Sequence, residues 1–98
     1  METIKLKKPM ADGSKEIKLD FDKVTGYALL KCEKDAKRDD PRITVMSLSQ
    51  VYQARVAAVA AGVKYDEILS LSGKDFTAVT LATQNFLLNT EEEPETSE

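Results

Sequence analysis

Histidine is absent from this chain of 98 residues, and cysteine occurs once, at position 32. The first absence removes the commonest general base, together with the Ser-His and Cys-His arrangements that activate a nucleophile. The second excludes an intrachain disulfide and a zinc site of the usual Cys/His kind. The sequence also lacks a glycine-rich phosphate loop, metal-ligand spacing and a nucleophile elbow. No catalytic residue, cofactor or metal is therefore expected. Cys32 reads as a small core residue on a helix, although Lys31 and Lys34 nearby would favour its thiolate weakly. Asp39 and Asp40, beside Arg38 and Arg42, read as a solvated charge cluster rather than an acid–base pair. Long apolar runs are missing too. Nothing approaches the ~18–20 residues of a membrane span, and no basic-then-apolar leader opens the sequence, so the expected compartment is the cytoplasm.

Charge is abundant, with 14 basic and 17 acidic side chains, but unevenly placed. Five of the acids (Glu91, Glu92, Glu93, Glu95, Glu98) fall in the last eight residues, leaving 14 basic and 12 acidic groups in residues 1–90. A body so nearly balanced lacks the basic stripe of a nucleic-acid binder. The tail has nothing apolar to bury, so 91–98 reads as a disordered, solubilising end. Alternatively it competes electrostatically for lysine- and arginine-bearing surface that a partner needs. Residues 1–90 are of a size for one domain, single cores running to about 100–150 residues.

What is present is a strong helical pattern from Met46 to Asn89. Leu48, Val51, Tyr52, Val56 and Val59 recur at spacings of three and four, the arithmetic of one face of a helix over 47–61. Ser47 and Gln50 have capping-box spacing, with Met46 and Val51 as a staple. Gly62 supplies a left-handed stop, and Val63 is placed to fold back on the last turn. The alanines at 57, 58, 60 and 61 have two readings: close packing against a neighbouring helix, or a smooth surface kept for another chain. A short helix over 64–71 would turn Ile68, Leu69 and Leu71 inward, with Tyr65 near its start. A last helix, 73–89, is signalled by Ser72 and Asp75, with Leu71 and Phe76 as staple. Its stripe of Phe76, Val79, Ala82, Phe86 and Leu87 predicts that both phenylalanines are buried against the 47–61 helix.

The N-terminal third alternates instead. Ile4 and Leu6, then Ile17, Leu19 and Phe21, keep a period of two across residues 2–8 and 15–21, and Asp12-Gly13 between them is a turn dipeptide. A β-hairpin over 2–21 follows. Two strands alone are marginal in water, so its apolar face should lie on the helices, with its edges open. Asp20 or Asp22 can cap a first helix over 22–36, where Phe21, Ala28, Leu29, Cys32 and Ala36 form one stripe. Tyr27 and Leu30 fall elsewhere on that helix, and Gly26 would weaken its first turn. Residues 37–46 break every period and read as a loop. The fold class is thus α+β: a hairpin packed on three to four helices.

The order of these pieces resembles the small tail assembly chaperones of long-tailed bacteriophages and related prophages. The likeness is carried by the acidic-aromatic lead into Val24-Thr25-Gly26 and by the serine-capped, alanine-rich helix containing Tyr52. The DEIL segment, the Leu71-to-Asp75 lead into the last helix and Asn85-Phe86-Leu87 complete it. The 37–46 loop and the acidic tail are the least family-like parts. The resemblance implies a non-enzymatic protein of the host bacterial cytoplasm. Such a protein binds the tape measure protein, helps bring major tail protein subunits onto it, and leaves the mature virion. Partner contact is expected at Tyr27, Leu30 and Tyr65, with the hairpin edge also open; no nucleic-acid or membrane partner is expected, and homo-oligomerisation is left open. A structural tail or head–tail connector subunit and a small cytoplasmic regulatory binding protein are the alternatives.

Overall fold

The computed structural model of the chain describes residues 1–92, with side chains described through Asn89. It has an N-terminal antiparallel hairpin packed on four helices, an α+β fold. Strands β1 (Glu2–Lys5) and β2 (Glu16–Leu19) pair with Ile4 opposite Ile17 and Glu2 opposite Leu19. The Leu6 amide adds one more bond to the Lys15 carbonyl, at 2.9 Å. At the turn, Gly13 takes φ +90°, a conformation that a side chain would strain, and the Asp12 carboxylate accepts the Ser14 amide at 2.9 Å. Ile17 and Leu19 are buried, while Ile4 and Leu6 pack against the same cluster from its margin. The strands are shorter than the alternation predicts. Lys7 and Lys8 spend their amides on Asp75 instead of a ladder, and Phe21 opens a 3-10 turn.

That turn, Phe21–Lys23, relocates the start of the first helix. Asp20 caps the turn, accepting the Asp22 amide, whereas helix α1 (Gly26–Asp39) is capped by Thr25, whose hydroxyl accepts the Ala28 amide at 3.2 Å. Gly26 is then the first helical residue, where the penalty of an interior glycine does not apply. The helix also runs three residues past Ala36 before Pro41, absorbing part of the expected loop. Cys32 and Ala36 face inward, as the stripe predicts.

Helix α2 (Gln50–Ala61) begins later than its spacing suggests. Its cap is Ser49, accepting the Tyr52 amide at 3.3 Å. Ser47 lies in a 3-10 turn, Met46–Leu48, and offers its carbonyl to the Gln53 side chain at 2.8 Å. Leu48 is therefore outside the helix and exposed. The end is as read: Gly62 takes φ +69°, and the Val63 amide reaches back to the Ala58 carbonyl at 3.0 Å. The larger correction concerns the face. Tyr52, Gln53, Ala54, Val56, Ala57, Ala58 and Ala60 are all buried, so α2 is enclosed on several sides by α1, α3 (Tyr65–Leu69), α4 (Gly73–Glu92) and β2. Ala57, Ala58 and Ala60 pack inside, which overturns the reading of these three as a smooth outer surface.

In α3, Ile68 is fully buried and Leu71 just beyond is half-buried, but Leu69 turns outward. Helix α4 carries Val79, Ala82, Thr83 and Leu87 into the core. Phe76 and Phe86 lie at the edge of that face and are only partly buried, contrary to expectation. Phe76 packs on the main cluster, and Phe86 stacks on Phe21 with centroids 4.5 Å apart and planes 7° from parallel. The helix continues past Asn89 to Glu92; the remainder of the tail expected to be disordered lies outside the described residues.

Asp75 joins the two ends of the fold. Ser72 caps α4 and donates its hydroxyl to Asp75 at 3.0 Å, as the spacing suggests. The carboxylate does more than neutralise the helix dipole. It accepts the Lys7 amide at 2.9 and 3.0 Å and the Lys8 amide at 3.1 Å. These bonds, that of Lys7 foremost, hold the carboxyl below the ordinary aspartate range against the desolvation that opposes them.

Two outcomes follow from this packing. Ile68→Ala should lower stability by about 2–5 kcal/mol and Leu69→Ala by no more than about 0.5–1, read by urea unfolding. Because Asp75 titrates below the ~3.9 of an unfolded aspartate, its stabilisation is complete above that pH and fades as pH falls through the folded value. Melting temperatures of wild type and Asp75→Asn should therefore differ at neutral pH and begin to converge only as the pH falls below about 4. A constant gap would show that the carboxylate charge is not what holds the hairpin.

Candidate partner-binding surface

The outward ridge of α1 is set by the stripe opposite it. With Cys32 and Ala36 pointing into the core, a 3.6-residue period turns Tyr27, Leu30, Lys31, Lys34 and Arg38 to solvent. Tyr27 is 91% exposed and Leu30 68%. At a separation of three they are surface neighbours, and two large apolar side chains stand together in water. The cations around them project further than the acids that accompany them. Lys31 meets Asp35 at 3.0 Å, with the lysine side chain 76% exposed and the carboxylate 14%. Lys37 meets Glu33 at 3.4 Å, and Arg38 meets Asp35 at 3.3 Å. Lys31 first, through its hydrogen bond, holds the Asp35 carboxyl below its ordinary value.

Beside this ridge runs a groove of about 390 Å³ between α1 and the C-terminal half of α4, lined by Leu29, Glu33, Met46, Tyr52, Phe86 and Leu87. Glu33 is three residues from Leu30, so the groove and the ridge adjoin on the helix surface. No spacing rule could have found this groove, because it depends on where the Met46–Leu48 turn lies. Cys32 is buried nearby, and burial foremost pushes its thiol above the ordinary value, with Asp35 adding to the effect. That places it with inert core thiols rather than reactive ones. Burial likewise pushes the Tyr52 phenol up.

Tyr65 occupies a different setting. It is half-buried against the main cluster, and the Arg55 guanidinium sits 3.9 Å above its ring. Arg55 in turn donates Nε and Nη2 to Asp39 at 2.8 and 2.6 Å and lies 3.8 Å from Asp35. Asp39, which the sequence suggests is part of a solvated loop cluster, is thus bound to α2; Asp40 keeps to Arg42. This arrangement ties α1, α2 and α3 together. It occupies one face of the Tyr65 ring that Tyr27 has free. Only a solitary arginine in an alanine-rich helix hinted at it.

Among the described residues no group of three or more His, Cys, Asp or Glu is placed to hold a metal ion, and no buried side-chain polar atom lacks a hydrogen-bond partner. No described helix is long and apolar enough to cross a membrane. No protein-family model, curated protein or solved structure matches the chain.

The two tyrosines should respond differently to truncation. Tyr27→Ala should leave stability within about 0.5 kcal/mol. Tyr65→Ala should lower it by roughly 1–3 kcal/mol through lost packing and the lost cation–π contact. Urea unfolding of both variants checks this.

Proposed function

We propose that this chain is a protein-binding module rather than an enzyme, acting as a tail assembly chaperone of a long-tailed phage or prophage. In this reading it binds an extended helical segment of the tape measure protein in the host cytoplasm and helps recruit major tail protein subunits. The observation that carries the binding role is the Tyr27–Leu30 ridge. The fold encloses most of its other large apolar side chains at least in part, yet these two stand exposed beside an apolar groove. An exposed aromatic–leucine pair next to such a groove suits an amphipathic helix that lays apolar anchors at helical spacing along it. The tape measure protein as occupant comes from the sequence resemblance.

The Tyr27→Ala/Leu30→Ala double variant should keep the wild-type melting temperature and bind a tape measure segment at least about tenfold more weakly, a loss of ~1.4 kcal/mol. Isothermal titration with wild type and variant measures it, and full retention of binding would move the site off α1. Purified particles should contain none of the chain; many copies per particle would indicate a structural subunit instead.

A further inference from the structure

We infer that the outward ridge of α1 takes an acidic helix, one that presents an apolar pair in one turn and Asp or Glu in the next two turns of the same face. The inference rests on the reading of that ridge as the partner surface and specifies the chemistry of what it binds. At about 100° per residue, Tyr27, Leu30, Lys31, Lys34, Lys37 and Arg38 share one arc of roughly 120°, and all six are exposed. Glu33, Asp35 and Asp39 fall outside that arc. The apolar pair lies near the start of the helix, and the cations follow over two further turns, to about 17 Å from Tyr27. The carboxylates of α1 do not balance them. Glu33 meets Lys37 at 3.4 Å, while Lys31, Arg38 and Arg55 divide the carboxylates of Asp35 and Asp39 among them. Lys34, at the centre of the arc, meets no carboxylate among the described residues. The face thus keeps an excess of positive charge around two uncovered apolar side chains.

Charge decides between occupants. A second copy docked isologously would lay this arc on its own counterpart, with no carboxylate inside the arc to meet Lys34. Two apolar side chains also offer far less area than the apolar face of a helix that lies in a lipid surface. A helix bearing carboxylates meets both requirements, covering Tyr27 and Leu30 and supplying the missing negative charge along the cations beyond them. Other exposed apolar groups lack this pairing. Leu69 follows Asp66 and Glu67, Leu81 has no charged residue three or four positions away on α4, and Arg42, near Val45 and Leu48, is met by Asp40 at 3.3 Å. Exposed ion pairs are individually weak, so the cations select the partner and the apolar pair holds it.

The test uses the full chain and three synthetic helices of one length and one apolar pair, carrying Glu, Gln or Lys in the next two turns of the same face. Binding is read from amide shifts and calorimetry at about 0.1 M ionic strength, where the Debye length of ~10 Å leaves only nearby charges to act. The Glu helix should shift the amides of Tyr27–Arg38 and bind at least about fivefold more tightly than the Gln helix, and the Lys helix should not bind. Lys34→Glu should weaken the Glu helix about three- to tenfold at an unchanged melting temperature, whereas Lys15→Glu, the same charge change on the hairpin, should weaken it less than about twofold. Equal affinity for the Glu and Gln helices, shifts centred off α1, equal effects of the two substitutions, or no binding of any helix would overturn the inference. Tighter binding to phosphatidylserine vesicles than to the Glu helix, or dimerisation through the ridge in sedimentation, would do the same. A second arm replaces the synthetic helix with a tape measure segment. Binding of that segment equally by wild type and Lys34→Glu would overturn the acidic partner and leave the functional reading in place; binding of the Glu helix but not of the segment would do the reverse.

Discussion

Everything in this fold is fitted around helix α2, and the constraint it sets is one of side-chain size. A helix of 12 residues is touched by α1, α3, α4 and β2. A helix bearing leucines all round would hold each neighbour at the upper end of the usual 8–10 Å interaxial distance; alanines at 54, 57, 58 and 60 let them approach more closely. Leu19, Ile68 and Val79 of the neighbours then fill the space beside the alanines, while α2 itself contributes Tyr52 and Val56. Gln53 fixes the arrangement. It is buried in the first turn of this helix, and its amide is satisfied by the Ser47 carbonyl and the Gln84 side chain, which converge on it. A slip of α4 along α2 would take the Gln84 oxygen from that amide, whereas the alanines alone would tolerate it.

The same enclosure gives the ridge on α1 its character. The helix is held from below by Cys32 and Ala36 and from the side by Arg55, while the Phe21–Phe86 stack fixes the segment just before it. Tyr27 and Leu30 thus stand on a supported element rather than a loop. In the proposed binding role, a partner would meet side chains whose backbone is already ordered, and the ordering penalty of association would fall mainly on the partner.

How much of this was legible in the sequence varies with the range of the interaction that decides it. Period and turn chemistry are local, so the hairpin, the four helices, the glycine stop at 62 and the inward position of Cys32 could be read directly. Caps were misplaced wherever two candidates lay within a few residues. Ser49 prevailed over Ser47, and Thr25 over Asp20, because a 3-10 turn intervened each time, and such turns have no apolar period to reveal them. The single-stripe reading of α2 failed since alanine counts little in a hydrophobic pattern yet packs as deeply as valine. Of the residues expected to contact a partner, Tyr27 and Leu30 stand exposed, whereas Tyr65 is drawn beneath Arg55; that contact pairs residues of different helices, which no local pattern encodes. The groove depends on three segments meeting and was invisible for the same reason.

Asp75 has a consequence for the order in which the molecule can be made. Its bonds to Lys7 join residues 68 positions apart, and the hairpin they anchor is synthesised before every helix it packs on. At ~5–20 residues per second, roughly 3–14 s separate the two groups during translation. A two-stranded hairpin is at best marginal without a surface to lie on, so over that interval its apolar face has no stable cover. Helix α4 therefore acts as a clasp that closes the fold only after its first turn has been made. Strands β1 and β2, made before the helices that cover them, are open to mispairing with another chain over that interval.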